Sequence, residues 1–297
     1  MIQQALARYA FDGMDAVLIR HNENMTYCVG GKYLLRIHRH REGFSTAWSG
    51  AASPLALRGE ELRFLARLNA AGIRVQTPLA NRDGEYVTVL GDGTLVTALT
   101  WIPGRTVEKA DVTPAFSASL GELVGRMHRA AEQSGAAPSM RYDAALCERL
   151  VGWLDRLPET ALLARCRPAM RDALHGIRAY LALHEGELIA VHSDLSRSNL
   201  LITESGLVPI DFSLFGIGHP MLDVGGVFAS ICETDEQRRG FADGYAAAGC
   251  AIGQRGVDTS FALQILLGIA LHYDMWKDEA WFHKRLPEWC GEVFSRI

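Results

Sequence analysis

The sequence predicts an α+β protein of two lobes: a small N-terminal lobe on a five-stranded antiparallel sheet, then a larger, mainly helical lobe. Three observations carry this expectation. Short β-rich segments crowd into the first 100 residues; a Pro and Gly break follows the last of them; and helical apolar spacing dominates the remainder, interrupted only between residues 187 and 213.

The first strands read as AVLIR, MTYCV and YLLRI, between Ala16 and Ile37, separated by the polar HNEN segment and by Gly30-Gly31. A helical stretch spans about residues 57 to 71, and two more strands, YVTVL and TLVTAL, flank the turn signal Gly91-Asp92-Gly93. The segment TWIPGR places the lobe connection at 101–105, giving an N-terminal lobe over 1–100 and a C-terminal lobe over 106–297. Helices are expected over 116–131, 143–156, 168–184, 235–249 and 258–275.

With 297 residues, 48% hydrophobic and 22% charged, the chain has enough apolar material for a substantial core. A formal net charge of -4 gives no basic field for nucleic acid or an anionic membrane. Cys28, Cys147, Cys166, Cys232, Cys250 and Cys290 form no C-x-x-C pair, which favours free thiols and a reducing cytoplasm. The N-terminal residues lack a signal-peptide core and no apolar run has membrane-spanning length, so no membrane partner is expected.

The most informative stretch is ELIAVHSDLSRSNLLITESGLVPIDFS, residues 187–213: a buried strand, a polar loop, and a hairpin turning at Glu204-Ser205-Gly206. A three-residue loop closed by Gly centres the pairing on Ser205 and sets Asn199 opposite Asp211, close enough to hold one hard cation. Asp194, before that loop, is then placed to face a hydroxyl nucleophile. Such a cluster suits phosphoryl transfer, in which the protein positions reactants and neutralises phosphate charge, and Mg2+ accepts a carboxylate and an amide oxygen. Singly, each Asp or Asn is explained by turn chemistry; their joint placement is what points to a site. His192 beside the buried strand reads as a supporting hydrogen-bonding residue.

The pattern H-x-D-x-x-x-x-N followed by a strand-end Asp, here His192, Asp194, Asn199 and Asp211, resembles the signature of the aminoglycoside phosphotransferase and choline kinase group. The resemblance implies a protein-kinase-like fold, ATP and Mg2+ as cofactors, Asp194 as base and Asn199 and Asp211 as metal ligands. It also implies a hinge over Leu99, Thr100, Trp101 and Ile102 that receives adenine, and a bracing role for Asp223, for which a helix cap is the alternative.

In that arrangement a third-strand cation contacts the phosphates and pairs with a helix carboxylate. YLLRI offers Arg36. In RGEELRFLARL the helical period aligns Glu61 with Leu57, Phe64, Leu65 and Leu68, whereas Glu60 aligns with Arg63 and Arg67 on the outer face. Glu61 therefore points inward and needs Arg36 as its partner. Lys32, on Arg36's face by period two, is a fallback phosphate contact, and HNEN with Asn24 is expected either to lie over the triphosphate or to be an ordinary hairpin turn. RIHRHR is otherwise a solvated basic edge.

The expected acceptor is a small-molecule hydroxyl, aminoglycoside-like, homoserine-like or choline-like. The segment from Asp211 to Asp223 is too short for a protein-kinase activation segment and A-P-E is absent. A stress-response protein kinase and a nucleotide-binding pseudokinase are the alternatives. An acidic, aromatic stretch at HYDMWKDEAWFHKRLPEW fits either an amine site or an amphipathic packed helix.

Overall fold

In the computed structural model the described residues are 1–21, 24–39, 42–43, 45–46, 48–50 and 53–297. A short helix, α1 (Ile2–Arg8), precedes three antiparallel strands, β1 (Ala16–His21), β2 (Met25–Val29) and β3 (Tyr33–His38). Then come α2 (Pro54–Ala70), β4 (Pro78–Leu79), β5 (Val87–Val89) and β6 (Leu95–Thr100). The sheet order is β1-β2-β3-β6-β4, and β5 also pairs with β6. All five expected strands are present. The sixth, β4, is two residues long and starts on Pro78, so no alternation announces it.

The remaining elements are β7 (Arg105–Thr106), α3 (Pro114–Ser134), β8 (Arg141–Tyr142), α4 (Ala144–Arg156), α5 (Ala161–Leu183), β9 (Ile189–Val191), β10 (Leu200–Thr203), β11 (Gly206–Pro209), β12 (Gly216–Gly218), α6 (Met221–Ser230), α7 (Asp235–Ala247), α8 (Gln254–Trp276) and α9 (Ala280–Glu292). Thr113, Asp143, Thr160 and Thr234 cap α3, α4, α5 and α7 with side-chain oxygens on the third helical N–H, which is why these helices begin where they do. α5 starts earlier than expected and runs through Pro168; a proline reads as a helix start, but the Thr160 cap is the real one. α6 escapes the periodicity because Gly225-Gly226 lowers its helix propensity. Gly225 instead serves packing, since a Cβ there would lie 2.8 Å from the Phe261 backbone nitrogen on α8.

Helices α3 and α7 cross at glycines spaced four apart on both, Gly121 and Gly125 against Gly240 and Gly244. A Cβ on Gly121 would sit 2.0 Å from the Phe241 carbonyl oxygen, and one on Gly244 1.8 Å from that of Ala118. Backbone therefore meets backbone, which only glycine permits.

The hairpin differs from expectation. Leu200 pairs with Pro209 and Thr203 with Gly206, so the loop has two residues and Asn199 lies opposite Ile210 rather than Asp211. Thr203 explains the shorter loop: its Oγ1 accepts the Ser205 N–H and donates to the Gly206 carbonyl at 2.8 Å. Gly206, with φ 113°, opens the returning strand instead of closing the loop.

Candidate active site

Asp194 and its neighbours sit on the loop between β9 and β10, and the loop is fixed from beneath. Asp223, fully buried in the first turn of α6, accepts the His192 N–H at 3.0 Å and the Ser193 N–H at 2.6 Å. It braces the loop; the α6 cap position is Pro220, which rules out the capping alternative. Burial opposes ionisation of Asp223, but the His128 ring at 3.0 Å and the His192 backbone N–H outweigh it and hold its carboxyl below the usual carboxylate range. His128 on α3 is oriented in turn by the Tyr245 hydroxyl of α7 at 2.8 Å. On the opposite side, Gln264 of α8 donates to the Ser193 carbonyl at 2.8 Å. Ser193 adopts φ 63°, a left-handed conformation disfavoured for a non-glycine residue, and these contacts on both its backbone groups enforce it.

His192 is buried and its two ring nitrogens have distinct duties. Nε2 donates to the Ile210 carbonyl at 3.0 Å, while Nδ1 accepts the Asp194 N–H at 3.3 Å. This demands the neutral ring, and burial does lower its pKa. His192 thus ties the loop to the end of the hairpin. Asn199 donates from Nδ2 to Asp194 Oδ2 at 2.7 Å and to the Asp194 carbonyl at 3.0 Å.

Asp211 follows the hairpin at φ 62°, which turns its side chain off the ladder and into the cavity that Asn199 lines. Burial raises its pKa, yet Arg36, a hydrogen bond with Ser213 and the charge of Arg20 prevail and lower it. In the N-terminal lobe Arg36 Nη1 meets Glu61 Oε1 at 2.9 Å, with both side chains almost wholly buried, and Arg36 Nη2 lies 3.3 Å from Asp211 Oδ1. One guanidinium therefore joins the sheet, α2 and the end of the hairpin. Arg58, which sequence reasoning missed, adds a second cation: it bonds Glu61 Oε2 at 2.6 Å and the Ser213 carbonyl at 2.9 Å. Its signal was the spacing i, i+3 to an inward Glu.

Three expectations need correction. Lys32 lies in the turn before β3, exposed, so strand alternation does not carry it to the face of Arg36. Glu60 is not a free surface residue; its Oε2 accepts the Ser139 N–H and hydroxyl, both at 2.9 Å, and docks α2 on the other lobe. The basic edge holds only in part: Arg39 is exposed, but Arg36 is buried and His38 Nε2 contacts Thr97 Oγ1 at 3.0 Å, while His40 and Arg41 lie outside the described residues. So do Asn22 and Glu23 of HNEN.

Asp194 belongs to two cavities. One, of 160 Å3, is also lined by Arg20, Asn24, Thr26, Asn199 and Asp211. The other, of 180 Å3, is lined by Trp48, Tyr142, Gln264, Leu271 and His272. In the first, Asn24 Oδ1 and Asp211 Oδ1 are buried oxygens that accept no hydrogen bond among the described residues, although Asp211 Oδ1 faces Arg36 Nη2 as an ion pair at 3.3 Å. Two such oxygens beside the Asn199 amide are a hard-cation donor set, so the residues fit Mg2+. At the hinge, Leu99 is buried among Leu34, Leu62 and Leu65, and Ile102 is buried beyond it. Thr100 already uses its N–H on the Thr77 carbonyl and its own carbonyl on Gln76 Nε2, and the Trp101 N–H bonds the Lys32 carbonyl.

A separate group of His184, Glu187 and His219 brings three ligand atoms within 4.8 Å of one another. His219 Nδ1 accepts the Met221 N–H at 3.2 Å, however, which leaves the proton on Nε2, the atom turned toward Glu187. This is a hydrogen-bonded cluster rather than a metal cradle. A larger cavity of 620 Å3, bounded by α6, α7, α8 and the C-terminus, contains none of the loop residues above.

A six-stranded antiparallel sheet and a mainly helical second lobe define a protein-kinase-like fold, in which an Asp-Asn-Asp cluster meets a buried Arg-Glu pair. The chain belongs to the phosphotransferase enzyme family, whose model matches residues 16–257. A homoserine kinase of Cupriavidus taiwanensis is 33% identical over 147 residues, covering 48% of this chain and 42% of that protein. The chain thus spans under half of that relative's length. Among solved structures, an amicoumacin kinase in complex with AMP-PNP and Ca2+ superposes with TM-score 0.75 at 18% identity, covering 100% of this chain and 92% of that one. A microcompartment-associated aminopropanol kinase gives TM-score 0.72 at 21% identity over 99% and 94%. No helix among the described residues is long and apolar enough to cross a membrane.

Proposed function

We propose that the protein transfers the γ-phosphate of ATP, with Mg2+, to a hydroxyl of a small molecule. The observation that carries this reading is the position of Asp194 in the shared wall of two cavities, one lined by cation-seeking oxygens and Arg20, the other by aromatic and aliphatic side chains.

The nucleotide phosphates occupy the first cavity and the acceptor hydroxyl enters from the second. Asp194 takes the hydroxyl proton as the acceptor oxygen bonds the γ-phosphorus; the bond from phosphorus to the β,γ-bridging oxygen breaks and ADP leaves. Asn199 and Asp211 hold the metal, which when bound neutralises charge on the phosphate oxygens. Because Nδ2 of Asn199 is committed to Asp194, its Oδ1 is the atom offered to the cation. Arg36, held by Glu61, contacts the phosphates, and Asn24 closes over them. At the hinge of 101–105 the Thr100 groups are engaged, so adenine reads the Trp101 carbonyl and the Ile102 N–H between apolar walls.

The relatives phosphorylate, by their names, homoserine, amicoumacin and aminopropanol. Size favours a compact acceptor here: 180 Å3 is close to the about 150 Å3 that admits benzene and below the roughly 300 Å3 at which drug-sized pockets begin. The stretch from Asp211 to Asp223 holds β12 and the entrance to α6, leaving no room for a long substrate-docking segment. The test is acceptor-dependent ADP release across a panel of amino alcohols, choline, homoserine and aminoglycosides. Nucleotide binding with no turnover on any acceptor would leave a binding module in place of an enzyme.

A further inference from the structure

The strand registers place three residues in one row across the sheet. Arg20 on β1 pairs with Thr26 on β2, and Thr26 pairs with Arg36 on β3. Directly opposed residues project from the same face, so Arg20, Thr26 and Arg36 point together toward the cleft. Two strand spacings separate the arginines, about 10 Å at the backbone, and Thr26 stands between them.

A bulge creates the row. From Ala16 to Leu18 the residue numbers of β1 and β2 partners follow one register, in which Thr26 would face Ile19; the shift between Leu18 and Arg20 adds one residue to β1 and brings Arg20 opposite Thr26. An aliphatic side chain is thereby exchanged for a guanidinium at the mouth of the phosphate cavity. Arg20 lines that cavity with Asp194, Asn199 and Asp211, and its charge is among those that keep the Asp211 carboxyl ionised. Arg36, by contrast, is held from behind by Glu61.

We infer that Arg20 is a second phosphate-contacting arginine, whose guanidinium donates hydrogen bonds to the γ-phosphoryl oxygens during transfer. This rests on the phosphotransferase reading above. Arg20 forms no covalent bond; it offsets the charge that develops on the equatorial oxygens.

The test is binding, measured by calorimetry with Mg2+ present, of ADP and of the non-hydrolysed triphosphate AMP-PNP to wild type, Arg20→Ala and Arg20→Lys. Loss of a charge-assisted contact to the γ-phosphate predicts AMP-PNP affinity lower by about tenfold or more in Arg20→Ala, ADP affinity within about twofold of wild type, and partial recovery in Arg20→Lys. In turnover, kcat should fall more than KM rises, and added guanidinium should restore part of it to the alanine variant. Equal losses for ADP and AMP-PNP would assign Arg20 to holding Asp211 alone, and unchanged AMP-PNP binding would remove it from the site; either result overturns the inference while leaving the phosphotransferase reading intact. A wild-type protein that binds neither nucleotide overturns both.

Discussion

Asn199 holds Asp194 by two hydrogen bonds from one nitrogen, Nδ2 to the carboxylate Oδ2 at 2.7 Å and to the backbone carbonyl at 3.0 Å. The proposed base and one proposed metal ligand are therefore mechanically one unit, and variants at either position report on both.

Asp194→Asn should keep the fold and nucleotide affinity and lower turnover by about 10²- to 10⁴-fold, since the amide oxygen can still accept from Asn199 while no carboxylate is left to take the proton. Nucleotide titration beside a steady-state assay checks this. Wild-type turnover in the variant would remove Asp194 from the role of base.

Asp211→Ala should raise the Mg2+ concentration needed for half-maximal activity more than Asn199→Ala does, because it removes a full charge. Asn199→Ala should also lower kcat at saturating Mg2+, where Asp194 has lost its holder. The paired measurement is a Mg2+ titration of each variant, and identical curves for all three proteins would contradict the assignment.

Glu61→Ala should destabilise the protein by about 3–5 kcal/mol, because it removes the carboxylate that both Arg36 and Arg58 share in the interior. Chemical denaturation measures the loss. A double-mutant cycle of Arg36→Lys and Glu61→Gln on ATP-dependent turnover should show non-additive effects; strict additivity would separate the two residues functionally.

Acidification should destabilise the fold before the carboxylates titrate. Burial lowers the pKa of His192, His219 and His272 in the native state, so below about 6.5 the unfolded chain binds more protons than the folded one. The contribution is complete above that value and declines as pH falls toward the native pKa values. Asp211 and Asp223, lowered in the fold, add their losses only below about 4. Stability measured between pH 5 and 7 should rise with pH, with a shallower slope in His192→Gln; a flat wild-type profile would oppose this account.

The Arg36 and Glu61 pair was legible in the sequence because a carboxylate on the apolar face of a helix has to find a cation, and the third strand offered Arg36. The loop HSDLSRSN was legible from its spacing. Hairpin register was not, since it depended on whether Thr203 or Gly206 organised the turn, a choice between hydroxyl hydrogen bonding and backbone freedom. Arg20 was hidden by a bulge that breaks the alternation on which strand faces are read. His128 and Tyr245 lie on distant helices, and their meeting beneath Asp223 requires the crossing of α3 and α7. The paired G-x-x-x-G spacings, Gly121 to Gly125 and Gly240 to Gly244, were the available sign of that crossing.

At that crossing no side chain can be rearranged to absorb an error. A methyl group on Gly244 would press on the Ala118 carbonyl from 1.8 Å, so Gly244→Ala must part the two helices rather than repack them. His128 travels with one helix and Tyr245 with the other, and their 2.8 Å bond would open before any atom near Asp194 had been altered. A defect in the joint should thus surface as a loosened catalytic loop, and failure there should be abrupt, since the two helices have one way of fitting together and no graded series of near misses.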